Sequence, residues 1–401
     1  MFLFTIYNAF SDRCRDFMLT DGSETVVSYG IDTTSNWWIK TSPFSGHYRY
    51  MIGEFTSQSY MEVSEIIFSP DGFKWAFFAK TNTQWYLVSN DTLLPLYCTK
   101  PGFIKYTNSS EKLIYSYYQD DIENIISDNI NIKANNRMPD YFFTSFNGDR
   151  FAMLGYRGKS YVININGKES EQFDRIIPVG FWYNGEFLYA TLSGSTWEIK
   201  LGNKTIADGY ETINDAAINY FGNCAGFLAR TRGGNSYGIL ISDEYYDPLI
   251  SKDFETTFNL TLHPYLPMMA FNATKNGGNF IIFSNTEYSG GETTSKPFFT
   301  HDGEEMYYFG CNIDCFINIG GRKYTQNTLF ALNVAYSHKP NSPTIGYTSN
   351  SALMVRELQE NRIYSGMMVD ETSNSIYNWK KKRYEALGRI SNKIYLLTCA
   401  F

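Results

Sequence analysis

The chain has little charge, few histidines and no long apolar run. Charged residues are only 19% of its 401 residues, too few for long solvated helices or a coiled coil. No apolar stretch nears the roughly 20 residues of a membrane-spanning helix, so no membrane span is expected. The start, MFLFTIYNAFSDRCRDF, lacks the basic region, apolar core and small-residue cleavage site of a secretory signal. A cytoplasmic location is therefore the expectation. The net charge of −7 argues against broad phosphate-backbone binding, which depends on many Lys and Arg contacts.

Six cysteines are too few for a disulfide scaffold. Cys311 and Cys315, in GCNIDCFI, form the only close pair. Their spacing across a short polar turn is open to two reduced thiols, a cross-strand bridge or a metal pair, and no His or further Cys lies nearby to complete a tetrahedral site. Catalysis by Ser or Cys needs an activating base, and only His47, His263, His301 and His338 are available. A Gly-x-Ser-x-Gly elbow and a phosphate loop ending in Gly-Lys-Ser/Thr are both absent. No catalytic set, metal site or cofactor is expected.

What the chain has in abundance is aromatic side chains, 17% of the total with 32 Tyr and 31 Phe. Such residues suit pleated, half-buried surfaces. They fall into a rhythm. Strand-like segments centred on Ala76, Ile114, Ala152, Tyr189, Leu228, Ala270 and Tyr307 follow one another at steps of 38, 38, 37, 39, 42 and 37 residues. Each is preceded by an apolar strand and a turn, as in SPDG (69–72), FNGD (146–149), WYNGE (182–186), HPYLP (263–267) and HDGE (301–304). Most are followed by a Gly- or Asn-rich hairpin turn and a third strand, where positive φ is needed.

Four antiparallel strands every ~40 residues is the pattern of a propeller blade. The expected fold is all-β, one propeller domain over 1–401, with eight blades favoured and seven next. A further hairpin centred on Tyr347 supplies the eighth. The terminal strands MFLFTIYNAF and NKIYLLTCAF are expected to share a closing blade, and irregular excursions are expected about 325–390.

The stretch FSPDGFKWAFFAKTNTQWYLVSND resembles the WD40-like repeats of the TolB type, whose mark is a Ser-Pro-Asp-Gly turn before an apolar strand. Residues 67–89 carry the motif; the other units keep the rhythm alone. The resemblance implies a propeller and leaves activity open, because fold does not settle function.

Other motifs read as parts of blades. His301 and Asp302 fall in a blade turn. LSGSTWEI (192–199) keeps Gly194, Thr196 and Trp197 of a sialidase-type Asp-box turn but has Leu192 where the Asp belongs. The one basic run, NWKKKRYE, makes Trp379, Lys380, Lys381, Lys382, Arg383 and Tyr384 a candidate binding surface for an acidic partner or nucleic acid, combining charge with stacking. The expected function is a non-enzymatic propeller scaffold that binds another macromolecule, a protein, through its loops. The alternative is an extracellular or virion-associated carbohydrate-binding or adhesion protein, and the third reading is a hydrolase with its site in the central channel.

Overall fold

The protein's structure, a computed structural model, describes residues 13–128, 130–134, 137–244, 247–300, 303–326, 335–337, 343–349, 351–360 and 362–400. Among these residues there are ten antiparallel sheets of four or five strands and no helix. In chain order the sheets, or blades, occupy 25–56, 62–96, 100–134, 137–169, 176–210, 212–250, 256–289, 293–326, 335–365 and 371–400; the last also takes in Cys14–Met18. The architecture is all-β and of the propeller type.

The expected count of eight blades, or seven, is corrected to ten. Ala76, Ile114, Ala152, Tyr189, Leu228, Ala270, Tyr307 and Tyr347 each lie in a separate blade, in its second strand when the first strand of blades 2 and 8, which is split into two short pieces, is counted once. The rhythm continues at both ends. Ile39, in Trp37–Ser42, stands 37 residues before Ala76, and Leu387, in Arg383–Ile390, stands 40 after Tyr347. The apolar segment around Tyr50, only 26 residues before Ala76 and so out of step with the rhythm, is the third strand of blade 1.

The chain divides into two compact units, with the boundary falling inside blade 3. One unit comprises residues up to 104, 117–120 and from 330, and contains blades 1, 2, 9 and 10. Here Cys14–Met18 forms the outermost strand of blade 10, antiparallel to Lys393–Ala400. The two ends of the chain thus share a blade, although residues 1–10, the expected N-terminal strand, lie outside the described residues. Cys14 stands directly opposite Cys399 and the two form a disulfide. Val26 and Ile39 of blade 1 pack with Leu387 and Ile394 of blade 10.

The other unit, 105–116 and 121–329, holds blades 4–8 and part of blade 3. Its core consists of apolar faces pressed between consecutive blades, such as Leu188 and Ile199 of blade 5 with Phe227 and Ile239 of blade 6. Cys311 and Cys315 are directly opposed in the blade 8 hairpin and are also bridged.

One turn design links the first and second strands of most blades. A polar residue opens the turn, and its N–H donates to the carbonyl five residues on: Ser69 to Lys74, Thr107 to Lys112, Ser145 to Arg150, Asn219 to Cys224 and Thr300 to Glu305. Its side chain accepts the returning N–H of that same residue at 2.9–3.2 Å. Three places after the opening residue φ is positive, at Gly72, Ser110, Gly148, Gly222 and Gly303, which is why glycine dominates that place. The carbonyl of this glycine then faces the preceding blade. Asn36 Nδ2 donates to Gly72 O at 2.7 Å and Arg150 Nη1 to Gly185 O at 2.8 Å.

His263 serves the same purpose in blade 7. Its Nδ1 accepts the N–H groups of Tyr265 and Leu266 at 3.0 and 2.9 Å, so the proton sits on Nε2, which donates to Gly303 O at 2.7 Å. Burial lowers its pKa below the ordinary value, partly opposed by that hydrogen bond. The folded state therefore binds a proton less readily than the unfolded chain, whose histidine titrates near about 6.5. The stability it supports is complete above that pH and is lost as pH falls through the lower folded value. The wild-type melting temperature is expected to drop between pH 7.5 and 5 by more than that of H263N, whose amide cannot be protonated; parallel curves would refute this.

Candidate functional site

The polar turns of blades 3–6 meet around a cavity of about 420 Å³ in the unit formed by 105–116 and 121–329. Its walls are the ends of first strands: Lys105, Phe143 and Thr144, Val179 to Phe181, and Ile218. Its rim is made of the turns that follow, including Asn108, Phe146, Asp149, Arg150, Tyr183 and Phe221. The turn design fixes this arrangement, because each turn is closed by its own hydrogen bonds and tied to a neighbour. Ser109 N donates to Phe146 O and Tyr183 N to Gly222 O, at 2.9 and 2.8 Å. Tyr220 donates its hydroxyl to Asn108 O, and Asn108 Nδ2 donates to Tyr220 O.

Aromatic side chains crowd this rim while remaining exposed, Tyr183 by 60% and Phe221 by 41%. Phe146 packs edge-on to Tyr220 with centroids 5.6 Å apart, Tyr220 edge-on to Phe221 at 5.2 Å, and Phe221 tilts over Tyr265 at 6.2 Å. A cluster of large rings held in water on short, rigid turns costs hydrophobic free energy that a packed partner would recover.

The polar groups of the cavity are mostly committed to structure. Asn219 uses its amide on Asn223 and Cys224. Asp149 is taken up by Lys112, whose ammonium is 2.5 Å away, and by Asn147. Lys105 differs. It has no ion pair or hydrogen bond from its side chain among the described residues, and burial lowers its pKa from the usual lysine value. Arg150 donates to a backbone carbonyl and faces no carboxylate within ion-pair distance among those residues. The charge left over in the cavity is therefore positive.

The basic run forms the corresponding first turn of blade 10, between Ile376–Asn378 and Arg383–Ile390. Lys380, Lys381 and Lys382 are exposed. Lys380 lies over the Phe73 ring at 4.8 Å. Arg383 is bound to the buried Glu385 at 2.6 Å, and Lys381 stands 4.0 Å from the same carboxylate. Trp379 packs edge-on against Tyr377 at 4.8 Å, and Tyr384 is wholly buried with its hydroxyl donating to Thr344 O at 2.7 Å. Chain continuity thus brings the four basic residues together, while the two flanking rings face the core.

His47 is half-buried beside the exposed Phe44, His263 is consumed by its turn, and His301, Asp302 and His338 lie outside the described residues. Trp197 of the degenerate Asp-box is a core residue of blade 5. Among the described residues no group of three or more His, Cys, Asp or Glu could hold a metal ion, and no helix is long and apolar enough to cross a membrane. The cavity itself escapes sequence reading. Its rim residues look like ordinary turn residues, and only the aromatic tips Phe146, Tyr183 and Phe221 next to turn glycines hint at exposure.

No protein-family model matches the chain, and no curated protein matches it by sequence. Membership of the WD40-like TolB-type family is accordingly not shown. Solved structures that resemble it include the β-propeller domain of Cps50 (Swd1) from Myceliophteria thermophila, at 11% identity and TM-score 0.30 over 66% of this chain and 97% of that one. A prolyl endopeptidase matches at 11% identity and TM-score 0.36 over 84% of this chain and 55% of that one. An oligogalacturonate lyase in complex with manganese matches at 9% identity and TM-score 0.40 over 97% and 98%. At these levels the likeness concerns the fold alone.

Proposed function

We propose that this chain is a recognition propeller that binds a protein partner through the first-turn rim of blades 3–7, with Phe146, Tyr183, Tyr220, Phe221 and Tyr265 as anchors. The observation that carries the reading is the exposed aromatic cluster on rigid turns around an open cavity. Large aromatics on a preorganised surface lose little entropy on binding and supply most hot-spot energy. Phe146 with Tyr220, and Tyr220 with Phe221, meet edge to face, which covers part of the ring surface that a sugar would need for stacking, so a protein suits the rim better than a glycan. The SPDG turn supports kinship with TolB-type repeats, in which such turns are scaffold.

In this reading Lys380, Lys381 and Lys382 form a second contact for an acidic partner or nucleic acid. Replacing all three by Ala weakens such binding most at low salt, where surface charges are least screened; identical binding at low salt removes the idea. A cytoplasmic site has no observation of its own in its favour, and two cross-strand disulfides favour an oxidising compartment.

The test compares native affinity purification with wild type and with Y183A/F221A. Wild type is expected to retain a stoichiometric partner and the double variant to lose about 30-fold or more in affinity, since one hot spot alone is worth about 2 kcal/mol. The melting temperature should stay unchanged, because both rings are exposed. A wild-type chain that retains no partner, or a variant that binds equally well, defeats the proposal.

A further inference from the structure

We infer that the cavity beneath the aromatic rim is a carboxylate pocket, and that the partner segment it receives is an acidic peptide whose Asp or Glu side chain docks against Lys105 and Arg150. This rests on the protein-binding reading of the rim and specifies what the rim recognises.

The argument starts from what is left unsatisfied. A lysine withdrawn from water normally acquires a carboxylate or a set of acceptors, since an uncompensated buried charge is costly. Lys105, half-buried on the first strand of blade 3, has neither among the described residues, and it lines an open cavity. The other cation on the lining, Arg150, spends one N–H on Gly185 O at 2.8 Å and keeps the rest. The only carboxylate on the lining, Asp149, is neutralised by Lys112, which also lies 3.7 Å from Asp128. Among the described residues the charged hydrogen-bonding capacity left in the cavity is cationic, beside neutral hydroxyls such as those of Thr144 and Tyr183, and the complementary charged ligand group is an anion.

The charge narrows the choice of anion. Phe143 and Ile218 lend the walls apolar patches, but the exposed lining is more polar than apolar. Two cations, one of them already donating to a backbone carbonyl, match a singly charged carboxylate better than a doubly charged phosphate. At about 420 Å³ the cavity has room for an acidic side chain with part of its neighbours and is too small for a folded domain. The rest of the segment would lie across Tyr183, Phe221 and Tyr265.

The test is selection from a random-peptide library displayed on phage, with wild type as bait, followed by titration of the selected synthetic peptides against K105M, K105R and Y183A/F221A. The expected result is enrichment of peptides with Asp or Glu flanked by apolar residues. Affinity should fall about 30-fold or more in K105M, as for truncating one partner of a buried charge pair, and recover in K105R. Replacing the peptide's acid by its amide should reproduce the loss in wild type and have no further effect in K105M. The melting temperature of K105M should equal or exceed that of wild type, because an unpaired charge is removed. Peptides that need the aromatic rim but carry no acid and ignore K105M would overturn the pocket and leave the protein-binding reading standing. No enriched peptide, or peptides indifferent to Y183A/F221A, would overturn both; acidic glycans bound in a Tyr183- and Phe221-dependent way on an array would then identify the other class of ligand. A K105M variant that melts well below wild type would show Lys105 to be structural.

Discussion

Removing the Cys14–Cys399 bridge lowers the stability of the protein several-fold more than removing Cys311–Cys315. Both join directly opposed residues on neighbouring antiparallel strands, so their local geometry is alike. They differ in the chain they enclose: the sequence separation is 385 residues for the first and 4 for the second. In the chain-entropy account a cross-link stabilises by restricting the unfolded ensemble, which gives about 6 kcal/mol for the long loop and about 2 kcal/mol for the short one. The long bridge has a second consequence. Cys14–Met18 is the outermost strand of blade 10, held by its ladder to Lys393–Ala400, by Leu19 N to Ile394 O at 2.7 Å and by Thr398 Oγ1 to Arg15 O at 3.0 Å. A five-residue edge strand frays readily without a covalent tie, and its loss leaves the backbone edge of Lys393–Ala400 unpaired. Urea unfolding of C14A/C399A and C311A/C315A separates the cases. The first variant is expected to lose several kcal/mol, the second about 2 kcal/mol or less, and wild type treated with dithiothreitol, which loses both bridges, at least as much as the first. Equal losses would mean that chain closure at blade 10 is not what the bridge supplies.

The fold was legible wherever a blade follows the alternation of an apolar first strand, a polar turn and an apolar second strand. Ala76, Ala152 and Leu228 are fully buried within such strands, and their spacing alone places them in separate sheets. The two overlooked blades depart from that pattern for physical reasons. In blade 1 the second strand, WWIKTS, carries Lys40 and Thr41, so the more apolar third strand around Tyr50 draws the eye and shortens the apparent step. In blade 10 the strand RYEALGRI carries charges at a spacing that suits a helix. It is a strand because Glu385, 1% exposed, is held by Arg383 and by Asn378 Nδ2 at 3.2 Å, which lets a carboxylate occupy the sheet interior. The site was less legible than the fold. A turn residue that closes its own turn and one that lines a cavity are of the same type, and the isolation of Lys105 arises only when segments 38 to 117 residues away are folded against it.

Tyr384 is the residue whose place in the structure differs most from its apparent place in the basic run, and its substitution is expected to act on stability alone. The ring is fully buried in the core shared by blades 9 and 10, with Leu353, Val355, Ala386 and Leu397 around it. It also lies flat against Gly346: a Cβ built on that glycine would stand 2.1 Å from Cδ1 of the ring. The same device recurs between blades 6 and 7, where a Cβ on Gly238 would fall 2.5 Å from Phe271 Cε1. A missing side chain on one blade makes room for a ring from the next, and this lets wide aromatics fill the gap between two sheets at native packing density. Y384A should cost about 3–5 kcal/mol through the cavity it leaves, and Y384F about 1 kcal/mol for the hydrogen bonds to Thr344. G346A should cost about 1–3 kcal/mol by overpacking. The decisive measurement is the double-mutant cycle, because the two changes are opposite errors of volume at one contact. With the ring gone, the added methyl group enters the space it vacated, so G346A should cost far less in the Y384A background than in wild type, a coupling within the range found for touching residues. Additive losses would place the strain of G346A elsewhere, and a change in partner or nucleic-acid binding by Y384F at unchanged stability would return the ring to the surface.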